Sequence, residues 1–424
     1  MSEISTKNSF NTSIPSSQVR TVDVAVVGGG IVGKACGLGL AQLGLETIQI
    51  APDLDQLTPS PEGSHWGQRI YAFSPGSQQL LSHLQVWDAL NHSRMQAVRD
   101  MRIFGDRGMS QDQLHLSAFE AGIPQLAWIG ESNAVEHMLE QAARFQNKLS
   151  QLTDTVENLS VDTSGATLQL HSGATIRALL VIAADGSHSP IRNEIGISVS
   201  EESYSQNAVV ANWHCNQAHL ETAYQWFLPE GDVVAMLPLP NKQVSMVWST
   251  SPENAAHLIT LDQAAWSEKF AALAQGQIHA LLGDLTLNSV PATFPLRKIQ
   301  AQRFIGPAHN PKVVLIGDAA HVIHPLAGQG LNLGLRDVAS LLQIMGKRES
   351  FRPPNDLVLL RRYERERKGD TSSILWVTDT LKKLFSAPGK PEQHLRNWGL
   401  GLVNRSHFIK QRLIERALGE VHFE

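Results

Sequence analysis

Cysteine is almost absent from this 424-residue chain, which holds only Cys36 and Cys215. A disulfide scaffold is thereby excluded, and so low a count fits a reducing compartment with buried thiols. Charge is also sparse, 18% of residues, with 35 Lys and Arg against 40 Asp and Glu and a formal net charge of −5. No basic excess is available to meet a phosphate backbone, so a nucleic-acid partner is not expected. No apolar run approaches the roughly 18 residues that a spanning helix requires. The opening stretch MSEISTKNSFNTSIPSSQVR lacks the apolar segment of a secretory signal and is rich in Ser, Thr and Asn. It reads as a disordered tail over 1–20. The expected location is the cytoplasm, compatible with peripheral contact at the inner face of a membrane.

What is present is a folded composition, 42% hydrophobic, in a chain long enough for two or three lobes. Residues 22–27 form a continuous apolar run of the kind buried in a parallel sheet. Glycines follow, then a small-residue helix to about Gly44 and a second strand at 45–50. Helical spacing marks 77–91 and the segment from 133, where Asn133 and Glu136 form a candidate capping box. Alternation from 156 to Asp185 predicts a β-meander, and 204–250 continues in β style. Helical spacing returns between 261 and 282, and another apolar strand spans 312–320.

This order predicts an α/β fold: a Rossmann-like, dinucleotide-binding domain with an inserted β-sheet domain and a helical C-terminal region. The nucleotide-binding domain is expected over 21–100, 156–200 and 300–345. The inserted substrate domain is expected over 101–155 and 201–299, and the helical region over 346–424.

Three motifs carry chemistry. Gly28-x-Gly30-Ile31-x-Gly33 follows a strand and opens a helix. In that context the first glycine permits a tight turn, the second lets a pyrophosphate approach, and the third allows close packing. The carboxylate that ordinarily ends the second strand is missing: Ala51 stands there, with Asp53 two residues on. The second motif is AADGSHSPIRNEIG, with Asp185 and Gly186 at the end of an apolar strand and Arg192 beyond. The third is GDAAHVIHPLAGQGLNLGLRD. There Asp318 ends a buried strand, where a carboxylate can bind sugar or ribitol hydroxyls. Gly328, Gln329, Gly330, Leu331 and Asn332 then read as a loop feeding a helix that ends near Arg336 and Asp337. Bare backbone at a helix N-terminus presents free N–H groups to a developing negative charge, such as that on the pyrimidine edge of a reduced flavin.

In this order and separation the motifs resemble the FAD-dependent aromatic hydroxylases, the group of p-hydroxybenzoate hydroxylase. HPLAGQGLNLGLRD, FLPEGDVVAMLPLP and TFPLR are similar to the branch of ubiquinone-biosynthesis hydroxylases, and the likeness covers essentially 21–420. It implies FAD held by Gly28, Gly30, Ile31 and Gly33 at the diphosphate. It also implies contributions from Arg69 in GQRIYAFS, Asp185, Gly186 and Asp318, with Pro325, Gly328, Gly330, Leu331 and Asn332 along the isoalloxazine. The chain departs from the branch at Ala51 and at Gly67, where an acid two residues before the arginine is common.

The implied activity is hydroxylation of the ring of a polyprenylated phenol by O₂ through a flavin C4a-hydroperoxide. Alternatives are a hydroxylase of a small soluble aromatic acid and a non-catalytic flavoprotein scaffold. No second strand–GxGxxG–helix unit occurs, so NAD(P)H or a protein electron donor would bind transiently. Other ubiquinone-biosynthesis proteins are expected partners. No catalytic residue and no metal site is assigned; His321 and His324 are read as mostly structural. RRYERERKGD (361–370) reads as a solvated face, and the C-terminal segment with Arg396, Arg405, Lys410, Arg412 and Arg416 is compatible with an interfacial helix.

Overall fold

The computed structural model describes residues 19–52, 66–67, 69–105, 113–228, 231–323, 329–386 and 419, with side chains omitted over 373–386. Asp53, His324, Pro325, Gly328 and the proposed interfacial segment lie outside the described residues, as does nearly all of the N-terminal tail.

Among the described residues the strands form three sheets. The first is built on parallel pairing, the arrangement expected of apolar runs buried on both faces. Val19–Val27 lies between Thr175–Ala183 and Thr47–Ala51, and Val313–Leu315 extends the sheet beyond Thr175–Ala183. The helix Ile31–Gln42 crosses from the first strand to the second and is packed by the helix Gln329–Gly346.

The second sheet is a nine-stranded, mainly antiparallel layer. Its middle runs Val199–Cys215, Gln243–Thr250, Val233–Leu239, Thr222–Phe227 and Asp100–Phe104. Helices Pro252–Leu258, Gln263–Ala272 and Gln277–Leu282 supply the other side of a core around Trp213, Trp226, Trp248 and Trp266. A small third sheet, Ile70–Phe73, Ala127–Glu131 and Gln96–Val98, lies between the two layers.

Part of the expected substrate domain belongs to the first layer instead. Leu149–Thr153 pairs in parallel with Thr47–Ala51, and Ser132–Ala143 packs on Ile31–Gln42. Val135, Leu139, Leu149 and Leu152 are buried in the same core as the first strand, which fixes that assignment. The capping box is overturned as well. The helix begins at Ser132 with Glu131 at its N-cap position and no side-chain cap, and Glu136 is buried. The Glu131 carboxylate is engaged elsewhere, with Arg94 at 2.7 Å and the Gly67 amide at 2.7 Å.

Both cysteines are free and buried, as their scarcity suggested. The charge run 361–370 presents the expected solvated face through Arg361, Arg362, Arg365 and Glu366, all exposed, with Lys368 and Glu364 paired at i,i+4, but its other side is interior. Tyr363 and Arg367 continue the buried stripe of Leu359 and Leu360, and both are sealed in the interior. No helix among the described residues is long and apolar enough to cross a membrane. Residue 419 lies against the Arg336 guanidinium, so the chain meets the body of the protein again at that point.

Candidate functional site

The three glycines of the first motif divide the work as their spacing predicts. Gly28 has φ +133°, and a Cβ there would lie 2.1 Å from the carbonyl oxygen of Ala184. A Cβ at Gly33 would lie 2.5 Å from the Gly28 oxygen, so that glycine lets the helix close on the strand. Gly30 is different: it is exposed, and nothing stands within 4 Å of where its Cβ would be. It is the N-cap of Ile31–Gln42, with no side-chain cap and no acidic residue in the first turn. The first amides of this helix therefore point their partial positive charge into open space, a ready anion site. Gln49 holds the turn from behind, donating Nε2 to the Gly28 oxygen at 2.9 Å.

The second motif is more structural than its sequence suggests. The Asp185 carboxylate accepts the Ile191 amide at 3.0 Å and the Ser189 hydroxyl, capping the short helix Pro190–Glu194. Burial raises its pKa, and those two hydrogen bonds oppose the rise. Gly186, at φ +87°, has no neighbour within 4 Å of its would-be Cβ and leaves bare backbone beside the turn. Arg192, buried, donates to the carbonyls of Ala319 and Ser187, both at 3.0 Å, and so ties this motif to the third.

In the third motif the apolar strand is shorter than predicted, Val313–Leu315, and Asp318 sits in a single helical turn after it. Its side chain is exposed, yet desolvation by surrounding protein raises its pKa, with His321 opposing. A carboxylate that is both accessible and desolvated lines a concave surface. Tyr71 reports the same hollow from another wall: burial raises its phenol, Arg69 lowers it and Asp318 raises it. Arg69 and Asp318, both exposed and 249 positions apart in the chain (318 − 69), thus both lie within electrostatic reach of Tyr71.

The expected loop over 328–332 is helical from Gln329 onward, and that helix continues to Gly346, beyond the predicted end. Gly330 faces open space and Leu331 is half-buried. Asn332 turns its side chain into the protein, not toward the hollow. Its Oδ1 accepts the Ser74 amide at 2.9 Å and the Ser77 hydroxyl at 2.7 Å, and its Nδ2 donates to Ala72 at 2.8 Å. A clamp of this kind locks the strand of Tyr71 and the helix Pro75–His83 against the third motif. Val32, on the first helix, packs against both Gly317 and Gly334: their would-be Cβ atoms lie 3.2 and 2.8 Å from its methyls. Glycine at each contact is what permits the motifs to meet.

Two buried charge networks escaped the sequence reading. Asp337 accepts the Gly317 amide at 2.8 Å and pairs with His321 at 2.7 Å and Arg367 at 2.7 Å. Its only sequence signal was Tyr363, whose i,i+4 spacing from Leu359 carries an apolar stripe into the charge run, with Arg367 next. The other network joins Glu131, Arg94 and the Gly67 amide, with the Arg94 guanidinium 4.4 Å from the Trp66 ring. Glu131 reaches Gly67 from another strand: a Cβ at Gly67 would stand 3.3 Å from its Oε1. An acid is therefore present beside the position where the branch commonly has one.

Uncapped helix amides, an open Gly30, a desolvated Asp318 and an arginine on one hollow form a donor and acceptor set that suits a dinucleotide with a ribityl chain. The family described as "FAD binding domain" matches residues 21–374. Over 403 residues the chain is 32% identical to the 3-demethoxyubiquinol 3-hydroxylase of Escherichia coli, covering 94% of this chain and 98% of that protein. It is 30% identical to the human mitochondrial ubiquinone biosynthesis monooxygenase COQ6, covering 93% and 92%. The p-nitrophenol 4-monooxygenase PnpA of Pseudomonas putida shares the fold, with TM-score 0.72 at 17% identity over 95% of this chain and 100% of that one. The chain is a member of the FAD-dependent aromatic-ring monooxygenases and, within them, of the ubiquinone-biosynthesis hydroxylase family.

Proposed function

We propose that this monooxygenase hydroxylates the ring of a polyprenylated phenol on the route to ubiquinone. The observation that carries the reading is end-to-end similarity to a 3-demethoxyubiquinol 3-hydroxylase at 32% identity. The face of the large sheet nearest the small sheet supports it, being apolar and partly accessible through Met101, Ile103, Ala235, Leu237 and Val247.

In this reading the amides at Gly30, Ile31 and Gly33 hold the FAD diphosphate, with Gly28 shaping the turn. Asp318 takes ribityl hydroxyls, and Arg69 faces the cofactor across the hollow. Gly186 contributes backbone, whereas Asp185 acts through the turn it caps. Gly330 and Leu331 would line the isoalloxazine, with Asn332 fixing that helix turn from behind, and the same role is proposed for Pro325 and Gly328, which lie outside the described residues. Bound FAD supplies the oxygen chemistry: two electrons from a donor reduce O₂, one atom entering the ring and the other leaving as water. The protein excludes bulk water with its apolar walls and presents the ring. Electrons come from NAD(P)H or a partner protein that binds transiently. A lipid-tailed substrate makes the inner membrane face, among other proteins of the pathway, the place of exchange.

The test is mass spectrometry of quinone-pathway lipids in cells lacking the protein. Loss of the quinone with build-up of a prenylated precursor one oxygen short is the expected result, and its structure names the carbon. An unchanged lipid profile in cells with no second hydroxylase of this family overturns the proposal.

A further inference from the structure

Successive residues of a strand face opposite ways. Along Thr222–Phe227, Tyr224 and Trp226 turn toward the covering helices, where Trp226 donates Nε1 to Gln277. Ala223, Gln225 and Phe227 turn the other way. Ala223 packs with Trp66, Ala72 and Ile129, so this second face looks toward the segment that leads to Arg69. The register confirms the direction. Leu237 pairs Ser245 and Ser245 pairs Asn212, whose Nδ2 donates to the carbonyl of Gly67 at 3.1 Å.

Gln225 is 5% exposed, and its amide makes no hydrogen bond with any described residue. Its cross-strand neighbours are Ile103 and Ala235, followed by Val247 and Val210. All four are apolar, and all four are half-buried although they lie in the interior of the sheet. Partial accessibility in mid-sheet, beneath a second layer, marks the wall of a cavity. Neither amide atom is among the sealed polar atoms without a partner, so the little exposure Gln225 has includes its amide, which opens onto that cavity. The amide stands in an apolar wall with small and branched neighbours that leave it room, the arrangement of a ligand site that fixes orientation by a single polar group.

We propose that Gln225 orients the substrate ring, its amide hydrogen-bonding the phenolic oxygen while Ile103, Ala235, Val247 and Val210 form the apolar wall beside it. This assignment rests on the proposed prenylated-phenol substrate. Tethering one oxygen to a fixed strand decides which ring carbon is turned toward the flavin, so Gln225 acts on regiochemistry as well as affinity.

The test compares two ligands on the FAD-loaded enzyme: a phenol carrying a three-isoprene chain, and the same molecule without the hydroxyl. Binding is read from the perturbed flavin absorbance. Wild type is expected to prefer the phenol by about tenfold, the worth of one hydrogen bond to an otherwise unpaired amide. In Gln225→Met the two ligands bind within about twofold of each other, at unchanged FAD content, and peroxide released per product rises. Gln225→Asn keeps the amide but withdraws it by one methylene, and is expected to lose the preference as well; it serves if the Met variant does not fold. A variant that folds and retains the full preference overturns the role of Gln225 alone. Wild type that binds neither ligand overturns the substrate reading, and the assignment with it.

Discussion

Arg367 donates Nε to Oδ1 of Asp337 at 2.7 Å, and both side chains are buried. The other carboxylate oxygen of Asp337 accepts the Gly317 amide and faces Nε2 of His321. One carboxylate thus joins the helix Leu357–Ser386, the helix Gln329–Gly346 and the turn that presents Asp318. A buried pair of this kind contributes little over an apolar substitute, but removing one partner strands the other. Arg367→Ala is therefore expected to cost about 3–5 kcal/mol, because Asp337 keeps its charge with one of its two cationic partners gone. Calorimetry of the FAD-loaded protein reads this as a lowered melting temperature. A change within the error of the scan would mean that Asp337 is neutral in the folded state.

The same carboxylate sets an acid limit. Burial raises the pKa of Asp337, but the charges of His321 and Arg367 outweigh it and hold the group below its ordinary value. A depressed carboxyl pKa contributes stability that is complete above the unfolded value, about 3.9, and is lost as pH falls through the folded one. Denaturant titrations between about pH 5 and pH 3 should show stability falling, more steeply in wild type than in Asp337→Asn. Equal slopes would place the acid sensitivity elsewhere.

Gly30 and Gly33 separate stability from cofactor binding. Alanine at Gly33 meets the Gly28 carbonyl at 2.5 Å, so the helix must shift off the strand. Gly33→Ala is expected to lose about 1–3 kcal/mol of stability together with FAD. Alanine at Gly30 meets nothing, and φ −77° suits it. Gly30→Ala should leave the apoprotein melting temperature essentially unchanged while FAD affinity, followed by fluorescence quenching, falls at least tenfold. Undiminished affinity in Gly30→Ala would remove this turn from the diphosphate site.

Asp318 trades in the opposite sense. Desolvation raises its pKa, so its charge at neutral pH opposes folding of the apoprotein, and stability falls as pH rises through the shifted value. Asp318→Asn should raise the apoprotein melting temperature at pH 7 and weaken FAD roughly ten- to a hundredfold, the range of one hydrogen bond to a charged group. A variant that is no more stable yet binds FAD normally would assign Asp318 neither role.

The parts legible in the sequence were those in which a residue type has one physical use. A strand followed by Gly28-x-Gly30-x-x-Gly33 permits few arrangements, and the structure shows the turn, the open position and the close packing at those three places. Less legible were residues whose partners lie far along the chain. Arg367 stands among so many charges that local spacing cannot separate it from a solvated face; only Asp337 makes it interior. Asn332 offers an amide that suits a ligand or a scaffold equally, and Ser74 and Ala72, more than 250 positions earlier, decide for the scaffold. Leu149–Thr153 is too short to declare its sheet. Gln225 was invisible because the strand alternation that exposes its face is masked by burial on both sides.

Val32 rests against Gly317 and Gly334, so the hollow has walls from the first tenth and the last quarter of the chain. A nascent chain that has emerged as far as the large sheet already carries the glycine turn, but nothing yet stands opposite it. Closure needs residue 334, and the Asp337 network that steadies the turn needs residue 367. On the proposed cofactor site, flavin loading is expected to be a late event, after residue 367 has left the ribosome. A frameshift or nonsense change anywhere before 367 should yield a protein without cofactor, however intact its nucleotide motif.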